Sequence, residues 1–427
     1  MTLKSKLSQL QNISVNEEIR INKYLPVAVL YFFLNSFLLP TGLLYTAILT
    51  PLLLLWLYQY KALTRVWLFF AFVIPFGFVH FINGVNTRFY LISTGLLFTV
   101  FVFAVCFWQF LKVCTTLRSI FRKILILNFI LVVIACIIFF FPSLRNIFWH
   151  VSSISTGLEK LPRLKLLTYE PSYYSILLVP LAMYYYLKMM FLKLPNTGLI
   201  AIMITVPLLL SFSMGILMGI PLALAVLLIL NLKVIFVNKR IVQYIFLIIC
   251  LLVIVFILLF FFYPDNPLFI RILNLFEGKD SSFKGRAFES YQLAWTILNE
   301  KSVLFGVGLG QVKVLGLELW RTFYSYNFSI NEVTIPCAVA ETLAVFGIIG
   351  VCLRIGIQVF LFFRTKVYSN YYRLALFIFI FIYQFTGSYI MNIAEYAIWI
   401  MAFHQGIFEE FDEMNILGKN IVKPKRS

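Results

Sequence analysis

The sequence has few charged residues, which occupy only 12% of its 427 positions. An ordinary water-soluble domain carries charge at about a quarter of its positions. Hydrophobic residues make up 62% of the chain, in long runs separated by short clusters of Lys and Arg. The shortage of charge therefore excludes a soluble domain and indicates a polytopic membrane protein.

Histidine and cysteine are also scarce, with three and six residues respectively. The cysteines lie inside apolar runs or at their edges, without a CxxC motif or a Cys/His pair, so neither a disulfide framework nor a zinc site is expected. The histidines are widely separated, at His80, His150 and His404. This spacing argues against a Ser-His-Asp triad and against a histidine metal cluster. We therefore expect no metal site and no cofactor.

The apolar runs predict the path of the chain through the membrane. A spanning helix needs roughly 20 apolar residues, and helices satisfy their own backbone hydrogen bonds in lipid. The runs predict an all-α polytopic membrane protein of about twelve transmembrane helices, forming a single integral membrane domain over residues 1–427. The predicted spans are 25–39, 41–59, 66–84, 91–111, 124–142, 171–190, 197–213, 214–232, 242–263, 337–363, 374–391 and 393–408.

The positive charge is unevenly distributed along this path. The formal net charge of +18 would suggest nucleic-acid binding in a soluble protein. Here the Lys and Arg clusters fall on alternate connections, as the positive-inside rule predicts. We therefore expect a lipid bilayer and no nucleic acid as partner, with both termini in the cytoplasm. The outer face then carries a first loop, 143–170, and a large loop, 264–336, between spans 9 and 10, which is too long to lack structure or function.

The first candidate site lies where loop 143–170 meets span 6. Pro171 suits the first position of a helix, because its missing N–H would have no partner there. Glu170 then lies at the positive end of the helix dipole, with Arg163 shortly before it in the sequence. A carboxylate in this position can accept a proton during a reaction. Alternatively, it only caps the helix and pairs with a nearby basic residue.

The second candidate site lies in the large loop, where residues 283–298 predict an amphipathic helix. Gly285 and Arg286 begin this helix, where a positive side chain is unfavourable unless an anion binds beside it, so Arg286 is a candidate anion ligand. The run Gly306–Gly310 is predicted to be a turn, since no strand precedes it as in a dinucleotide-binding fingerprint. The predicted apolar face consists of Ala287, Tyr291, Ala294, Trp295 and Leu298.

Three charged residues interrupt the last apolar runs. A charge inside a bilayer costs several kcal/mol unless it faces a partner or water. Glu341 lies about one turn into span 10 from the outer side, at the depth of a cavity mouth, and is a candidate for function. Arg354 can pair or extend to the membrane surface, and Glu395 can anchor the interface, so a structural role is expected for these two.

Six motifs occur in a fixed order over about residues 155–400: Arg163 with Glu170–Ser175, Ser211–Ser213, Gly285–Arg286 with Trp295, Leu304–Gly310, Leu343–Gly350 and Asn392–Trp399. Taken together, they resemble the O-antigen polymerase and ligase superfamily of membrane glycosyltransferases. The last motif is similar to the polymerase branch in particular.

The resemblance implies a C-type glycosyltransferase-like fold and an active site on the periplasmic face of the bacterial inner membrane. The implied donor is an oligosaccharide on undecaprenyl pyrophosphate, which a polymerase transfers, with inversion, to the next lipid-linked repeat unit. A ligase instead transfers it to lipid A-core. A chain-length regulator is an implied partner.

Two departures from the family pattern affect this reading. Ligases resemble one another in a histidine placed before the Leu/Gly-rich span, and residues 331–336 contain none, which favours the polymerase. Met214 stands where the family often has an Arg after its paired serines, so no anion-binding role is carried over to that turn.

The implied reaction gives a role to each candidate residue. Arg offers planar, bidentate contacts to phosphate oxygens, so Arg163, Arg286 and Arg321 are expected to bind the pyrophosphate, and no metal is then required. A carboxylate near the acceptor hydroxyl takes its proton during attack on the anomeric carbon. Glu170 is the first candidate for this base, and Glu341 is the second.

Three tyrosines are candidate contacts to sugar rings, by stacking or hydrogen bonding: Tyr173, Tyr174 and Tyr324. An interfacial aromatic belt explains them equally well.

The main alternative function is a transporter or flippase of lipid-linked oligosaccharide. Twelve spans with both ends inside suit that function equally well. Transporters typically carry paired half-repeats with broken helices, and the sequence shows no such paired halves. A scaffold protein would not require basic residues beside a carboxylate on the outer face.

Overall fold

The structure is a computed structural model, and it gives a mainly helical architecture. It describes residues 31–32, 36–39, 43–114, 116–152, 161–192, 194–232, 261, 266–277, 280, 284–324, 329–330 and 333–416. The predicted spans 25–39 and 242–263 lie largely outside these residues.

Helices form most of the regular structure in these ranges. They are α1 (Tyr45–Ile48), α2 (Thr50–Gln59), α3 (Trp67–Ile82), α4 (Thr87–Val113), α5 (Leu117–Ile138), α6 (Pro142–Phe148), α7 (Pro171–Phe191), α8 (Thr197–Ser211), α9 (Met214–Leu230), α10 (Pro267–Phe276), α11 (Ser290–Leu298), α12 (Gln311–Tyr324), α13 (Ala338–Arg364), α14 (Tyr371–Tyr383) and α15 (Ile393–Phe403). Short 3-10 turns lie at Leu63–Val66, Val367–Ser369 and Glu409–Phe411.

The lengths and surfaces of these helices are those of a membrane protein. Five helical segments are long and apolar enough to cross a bilayer, namely α3 with the 3-10 turn before it, α4, α5, α7 and α13. The shorter apolar helices α8, α9, α14 and α15 match four further predicted spans. Trp67 and Phe78 on α3 are 69% and 71% exposed, as expected for side chains that face lipid. The predicted span 41–59 is instead divided between α1 and α2.

A small pair of β-strands within residues 143–170 is a local exception to the predicted all-α class. Strand β1 (Trp149–Ser152) pairs antiparallel with β2 (Leu161–Leu164). The indole Nε1 of Trp149 donates a hydrogen bond of 2.8 Å to the carbonyl oxygen of Ala135, which fixes the strand pair to α5. Four-residue strands are too short to show the alternating pattern by which strands are recognised in sequence.

Helix α7 lies at the centre of the bundle. Its most apolar window is 72% buried, more than in the other long apolar helices, and it packs against α8, α14 and α15. Pro171 occupies the first turn, as predicted, and Glu170 is the N-cap residue with an extended backbone. The central helix therefore holds Glu170 at its N-terminal end.

The predicted amphipathic helix is shorter than expected, and its buried face is rotated about the helix axis relative to the predicted apolar face. It begins with a π-helical turn at Gly285–Glu289, and α11 follows. Ala294 and Leu298 are buried as predicted, but Trp295 is 50% exposed and Ile297 is buried in its place. A π-helical turn contains more residues than an α-helical turn, so it rotates the following side chains relative to regular spacing.

Helix α13 is interrupted at Gly347, whose φ of 68° and ψ of −165° are not helical. The segment 303–308 supplies backbone partners on both sides of the break. These hydrogen bonds run from Val307 N to Ala344 O (2.9 Å), Gly308 N to Val345 O (3.0 Å), Ile348 N to Val303 O (3.1 Å) and Ile349 N to Leu304 O (3.1 Å). The predicted turn at Gly306–Gly310 is confirmed, with a positive φ at each of its three glycines. The two glycine-rich motifs thus form one backbone junction.

We expect Gly306→Ala to lower the free energy of unfolding by about 2–3 kcal/mol. Gly306 has a φ of 78°, and an added Cβ would lie 2.4 Å from the carbonyl oxygen of Val345, which is backbone and cannot move aside. Gly356→Ala in α13 is the control, because its Cβ would enter open space. Thermal unfolding in detergent measures both variants, and equal midpoints would contradict the role of the junction.

Candidate functional site

A cavity of about 440 Å³ lies between two buried cores of the protein. One core surrounds α7, α14 and α15, and the other joins α3 and α4 to α11, α12 and the start of α13. Four polar side chains with acid, base or ionic chemistry line the cavity: Glu170, Arg286, Lys313 and Glu341. Three of the four predicted catalytic residues thus share one cavity.

Glu170 and Arg286 form an ion pair across this cavity. The Oε1 of Glu170 lies 3.8 Å from an Nη2 of Arg286, and both side chains remain partly exposed, at 36% and 27%. Glu170 comes from the N-cap of α7, and Arg286 from the π-helical turn before α11. The pair joins the two candidate sites that the sequence predicted separately. It also leaves guanidinium and carboxylate surface open to the cavity.

Arg163 lies next to this pair without lining the cavity. It is on β2, opposite His150 on β1. Burial lowers the pKa of Arg163 to about 10; the nearby Glu170 opposes this shift, and the like charges of Arg271 and Arg286 add to it. Arg163 therefore belongs to a concentration of positive charge around Glu170. Its burial is consistent with a supporting electrostatic role.

Arg271, which the sequence did not single out, supports the same region from α10. Its Nε donates to Asp280 at 3.0 Å, and its Nη1 donates to the carbonyl oxygen of Phe212 at 3.1 Å. The guanidinium carbon lies 5.4 Å from the centre of the Phe212 ring. The adjacent Ser211 accepts a hydrogen bond of 2.7 Å from Ser175 of α7. These contacts tie the Ser211–Ser213 turn to the helix that carries Glu170.

Glu341 and Lys313 form the other charged side of the cavity. The Oε2 of Glu341 accepts a hydrogen bond of 2.7 Å from the backbone N–H of Ile390, in the connection between α14 and α15. Lys313, in the first turn of α12, lines the cavity together with Glu341. No sequence feature distinguishes Lys313 from the other basic residues of the large loop. A positive charge and a carboxylate thus face the cavity from each side.

Aromatic rings form part of the cavity wall. Tyr173 lines it and stacks on Tyr169, with ring centroids 4.7 Å apart and an interplanar angle of 28°. The hydroxyl of Tyr169 contacts that of Tyr389, which also lines the cavity. Burial raises the pKa of Tyr169 well above its usual value, so this phenol is neutral. A neutral aromatic surface with hydroxyl groups at its edge suits sugar rings, which present both C–H faces and hydroxyls.

The remaining predicted substrate contacts do not line the cavity. Tyr174 is fully buried, and its hydroxyl donates to Asn128 of α5 at 2.8 Å. Arg321 pairs with Glu318 at 3.0 Å on the exposed side of α12. Tyr324 donates to Glu289 at 2.8 Å, in the π-helical turn that also carries Arg286.

The two other charges in the apolar helices pair with each other. Arg354 of α13 and Glu395 of α15 form an ion pair with side chains only 14% and 3% exposed. The Nε of Arg354 also donates to Gln384 at 2.9 Å, and the indole of Trp399 donates to Glu395 at 3.2 Å. The structural role predicted for both residues agrees with these contacts.

Comparison with protein-family models gives no match, and no curated protein matches the chain significantly. Across the described ranges, no group of three or more His, Cys, Asp and Glu side chains is arranged to hold a metal ion. Independence from metals stays a prediction.

Proposed function

We propose that the chain is a glycosyltransferase that polymerises undecaprenyl-pyrophosphate-linked oligosaccharide repeat units on the periplasmic face of the bacterial inner membrane. The observation that carries the proposal is the shared cavity of Glu170, Arg286, Lys313 and Glu341 beside stacked tyrosine rings. The proposed architecture is C-type glycosyltransferase-like, with about twelve spans and both termini in the cytoplasm. A chain-length regulator is a proposed partner.

In the proposed reaction one bond forms, one bond breaks and one proton is transferred. The oxygen of the acceptor hydroxyl attacks the anomeric carbon of the donor, the bond from that carbon to the diphosphate breaks, and the lipid diphosphate leaves with the electron pair. A carboxylate takes the hydroxyl proton. Attack opposite to the leaving group inverts the anomeric configuration. No step requires a metal if guanidinium and ammonium groups match the charge that accumulates on the diphosphate.

The ion pair at the cavity suggests how binding prepares the base. A diphosphate held by Arg286 competes with Glu170 for the same guanidinium, because both present anionic oxygens to it. Glu170 then gains freedom to accept a proton while the positive charge around Arg163 and Arg286 serves the leaving group. Glu341 on the opposite side of the cavity is the second candidate for the base.

The break in α13 is also compatible with a transporter or flippase, because broken helices are typical of transporters. In transporters the freed helix ends point at the substrate, whereas the freed backbone groups around Gly347 are hydrogen-bonded to segment 303–308. This difference supports the glycosyltransferase. Transfer to lipid A-core, as a ligase, is the second alternative.

The decisive experiment combines purified chain with a lipid-linked repeat unit. Formation of longer lipid-linked glycans is the expected result, and absence of any product with protein shown to be folded would refute the proposal. In cells lacking the chain, single repeats attached to lipid A-core indicate a lost polymerase. Unligated polymer would indicate a ligase, and loss of surface glycan altogether would indicate an exporter.

We expect Glu170→Gln to slow turnover about 10²- to 10⁴-fold while changing donor binding much less. Glutamine keeps the size of the side chain at the N-cap of α7 but cannot take a proton. Single-turnover rates and donor affinity, measured separately, distinguish the two effects. Glu341→Gln is the matched variant in the same cavity. If Glu170→Gln turns over normally and Glu341→Gln does not, Glu341 is the base.

A further inference from the structure

Two cations converge on one indole ring at the end of α4 that lies away from the cavity. The guanidinium carbon of Arg65 lies 5.2 Å from the centre of the Trp108 ring, and the Nζ of Lys112 lies 5.1 Å from it. Arg65 belongs to the 3-10 turn Leu63–Val66. Ser93, near the other end of the same helix, lines the cavity described above. The cluster is therefore separate from the candidate active site.

The sequence around this cluster contains no compensating negative charge. Between Glu18 and Glu159 the chain has no Asp or Glu at all. Within the part of the chain that the structure describes, neither Arg65 nor Lys112 takes part in an ion pair. Two like charges drawn to one ring repel each other, and the attraction of a single indole for each of them is small. An external anion between them would offset that repulsion.

The guanidinium of Arg65 has bonding capacity that the described residues do not use. Its Nη1 is enclosed by protein and has no hydrogen-bond partner among them. An enclosed donor without a partner destabilises the folded state, so such a group normally has one. Phosphate oxygens are well matched to guanidinium N–H groups in charge and in planar geometry. Because the Arg65 side chain as a whole is only half-buried, it can turn toward the surface, where a phosphate oxygen would give this donor a partner.

Exposed aromatic side chains belong to the cluster and to the elements next to it. Trp108 is 45% exposed, and Tyr58 and Trp67 on neighbouring elements are 71% and 69% exposed. Exposed Trp and Tyr concentrate where lipid headgroups begin. The positive connections that include Arg65 and Lys112 are those predicted to face the cytoplasm, where the leaflet surface is negative. The phosphate available at this depth is that of a phospholipid headgroup.

We propose that Arg65, Trp108 and Lys112 form a binding site for the headgroup phosphate of an anionic phospholipid in the cytoplasmic leaflet. Both cations bind the phosphate beside the indole ring that they share. The site does not depend on the function proposed for the cavity. It would couple the stability of the bundle to the lipid composition of the membrane.

The test uses the delipidated full chain in detergent, titrated with dioleoylphosphatidylglycerol while the midpoint of thermal unfolding is followed. Phosphatidylglycerol is expected to raise the midpoint, and dioleoylphosphatidylcholine is expected to have little effect. Arg65→Gln and Lys112→Gln should each weaken the apparent affinity about fivefold, and the double variant should abolish the preference. Arg122→Gln is the control, because it removes an exposed cation from the neighbouring α5 and leaves Trp108 unchanged.

Three outcomes would overturn the proposal. Equal stabilisation by both lipids would show that the site does not select anionic headgroups. Stabilisation by inorganic phosphate as strong as that by phosphatidylglycerol would indicate a soluble anion as the ligand. Unchanged affinity in Lys112→Gln, an exposed position at the end of α4 where folding is not at risk, would remove the cluster from the binding site even if Arg65→Gln fails to fold.

Discussion

Replacing Arg286 by alanine is expected to reduce polymerisation by about 10²- to 10³-fold, the usual effect of losing one donor that stabilises charge in the transition state. Arg286 is the one arginine in the described cavity wall, and it faces Glu170. In the proposed reaction, the lipid diphosphate leaves readily only if its negative charge is matched nearby. Turnover of the lipid-linked repeat unit by the purified variant measures the effect, together with the length distribution of surface glycans in cells.

Two further variants distinguish loss of the positive charge from loss of its bidentate geometry and from misfolding. Arg286→Lys keeps the charge but loses the planar, bidentate geometry, so intermediate activity is expected. Arg321→Ala is the control, because Arg321 lies outside the cavity and is paired with Glu318. Normal chain length in Arg286→Ala, with protein abundance equal to that of the wild type, would refute the assignment. Equal losses in Arg286→Ala and Arg321→Ala would point to misfolding instead.

Arg163→Ala tests whether the positive charge of Arg163, which does not line the cavity, contributes to turnover. Arg163 lies on β2 and influences the cavity through the electrostatic cluster with Glu170 and Arg286. Long glycan chains are expected to disappear, with a smaller loss of turnover than in Arg286→Ala because direct contact with the diphosphate is not affected. A variant with wild-type chain lengths would remove Arg163 from the site.

The pairing of Glu170 with Arg286 could be anticipated in part from the sequence. The alternation of basic connections puts loops 143–170 and 264–336 on the same face, and Pro171 marks the start of the helix that presents Glu170. Both residues were therefore expected at the outer surface. Their distance of 3.8 Å depends on how α11 packs against α13, which the sequence of either segment alone does not specify.

The different positions of the two neighbouring tyrosines could not be predicted from the sequence. Tyr173 and Tyr174 are adjacent on α7, so their side chains differ in direction by about 100°. One faces the cavity and the other donates to Asn128 in the core. Because α7 is buried on nearly all sides, its sequence shows no polar face by which the two could be distinguished.

Lys313 and Arg271 were missed for a related reason. Each is one basic residue among many in a long loop, and its role depends on contacts with segments that are remote in sequence. Lys313 reaches the cavity because α12 packs against α13, and Arg271 acts through the Phe212 carbonyl and Asp280. Arg271 has an acidic partner close in the sequence, which could have marked it as a paired arginine. The exposed pair Arg321–Glu318 has the same feature, so the feature does not identify a residue near the site.

The second large effect is expected at the buried ion pair of Arg354 and Glu395. Glu395→Gln should lower the free energy of unfolding by about 3–5 kcal/mol, because removal of one partner leaves an uncompensated charge in the interior. Both side chains are enclosed between α13 and α15, where lipid and protein offer no water to replace the lost carboxylate. Gln384 and Trp399 remain as neutral partners and cannot neutralise the guanidinium.

The double variant Arg354→Met/Glu395→Leu distinguishes two contributions to the free energy of unfolding: the destabilisation by an unpaired charge and the stabilisation by the intact ion pair. Well-packed apolar residues in place of a buried ion pair are often neutral or stabilising, so the double variant is expected to unfold at or above the midpoint of Glu395→Gln and near that of the wild type. Arg364→Met at the exposed end of α13 is the control for loss of a cation. A double variant as unstable as Glu395→Gln would mean that the polar network itself, with Gln384 and Trp399, holds the two helices together. A stable Glu395→Gln would mean that Arg354 has access to water in the bundle, and its environment would then be a solvated path instead of a dry core.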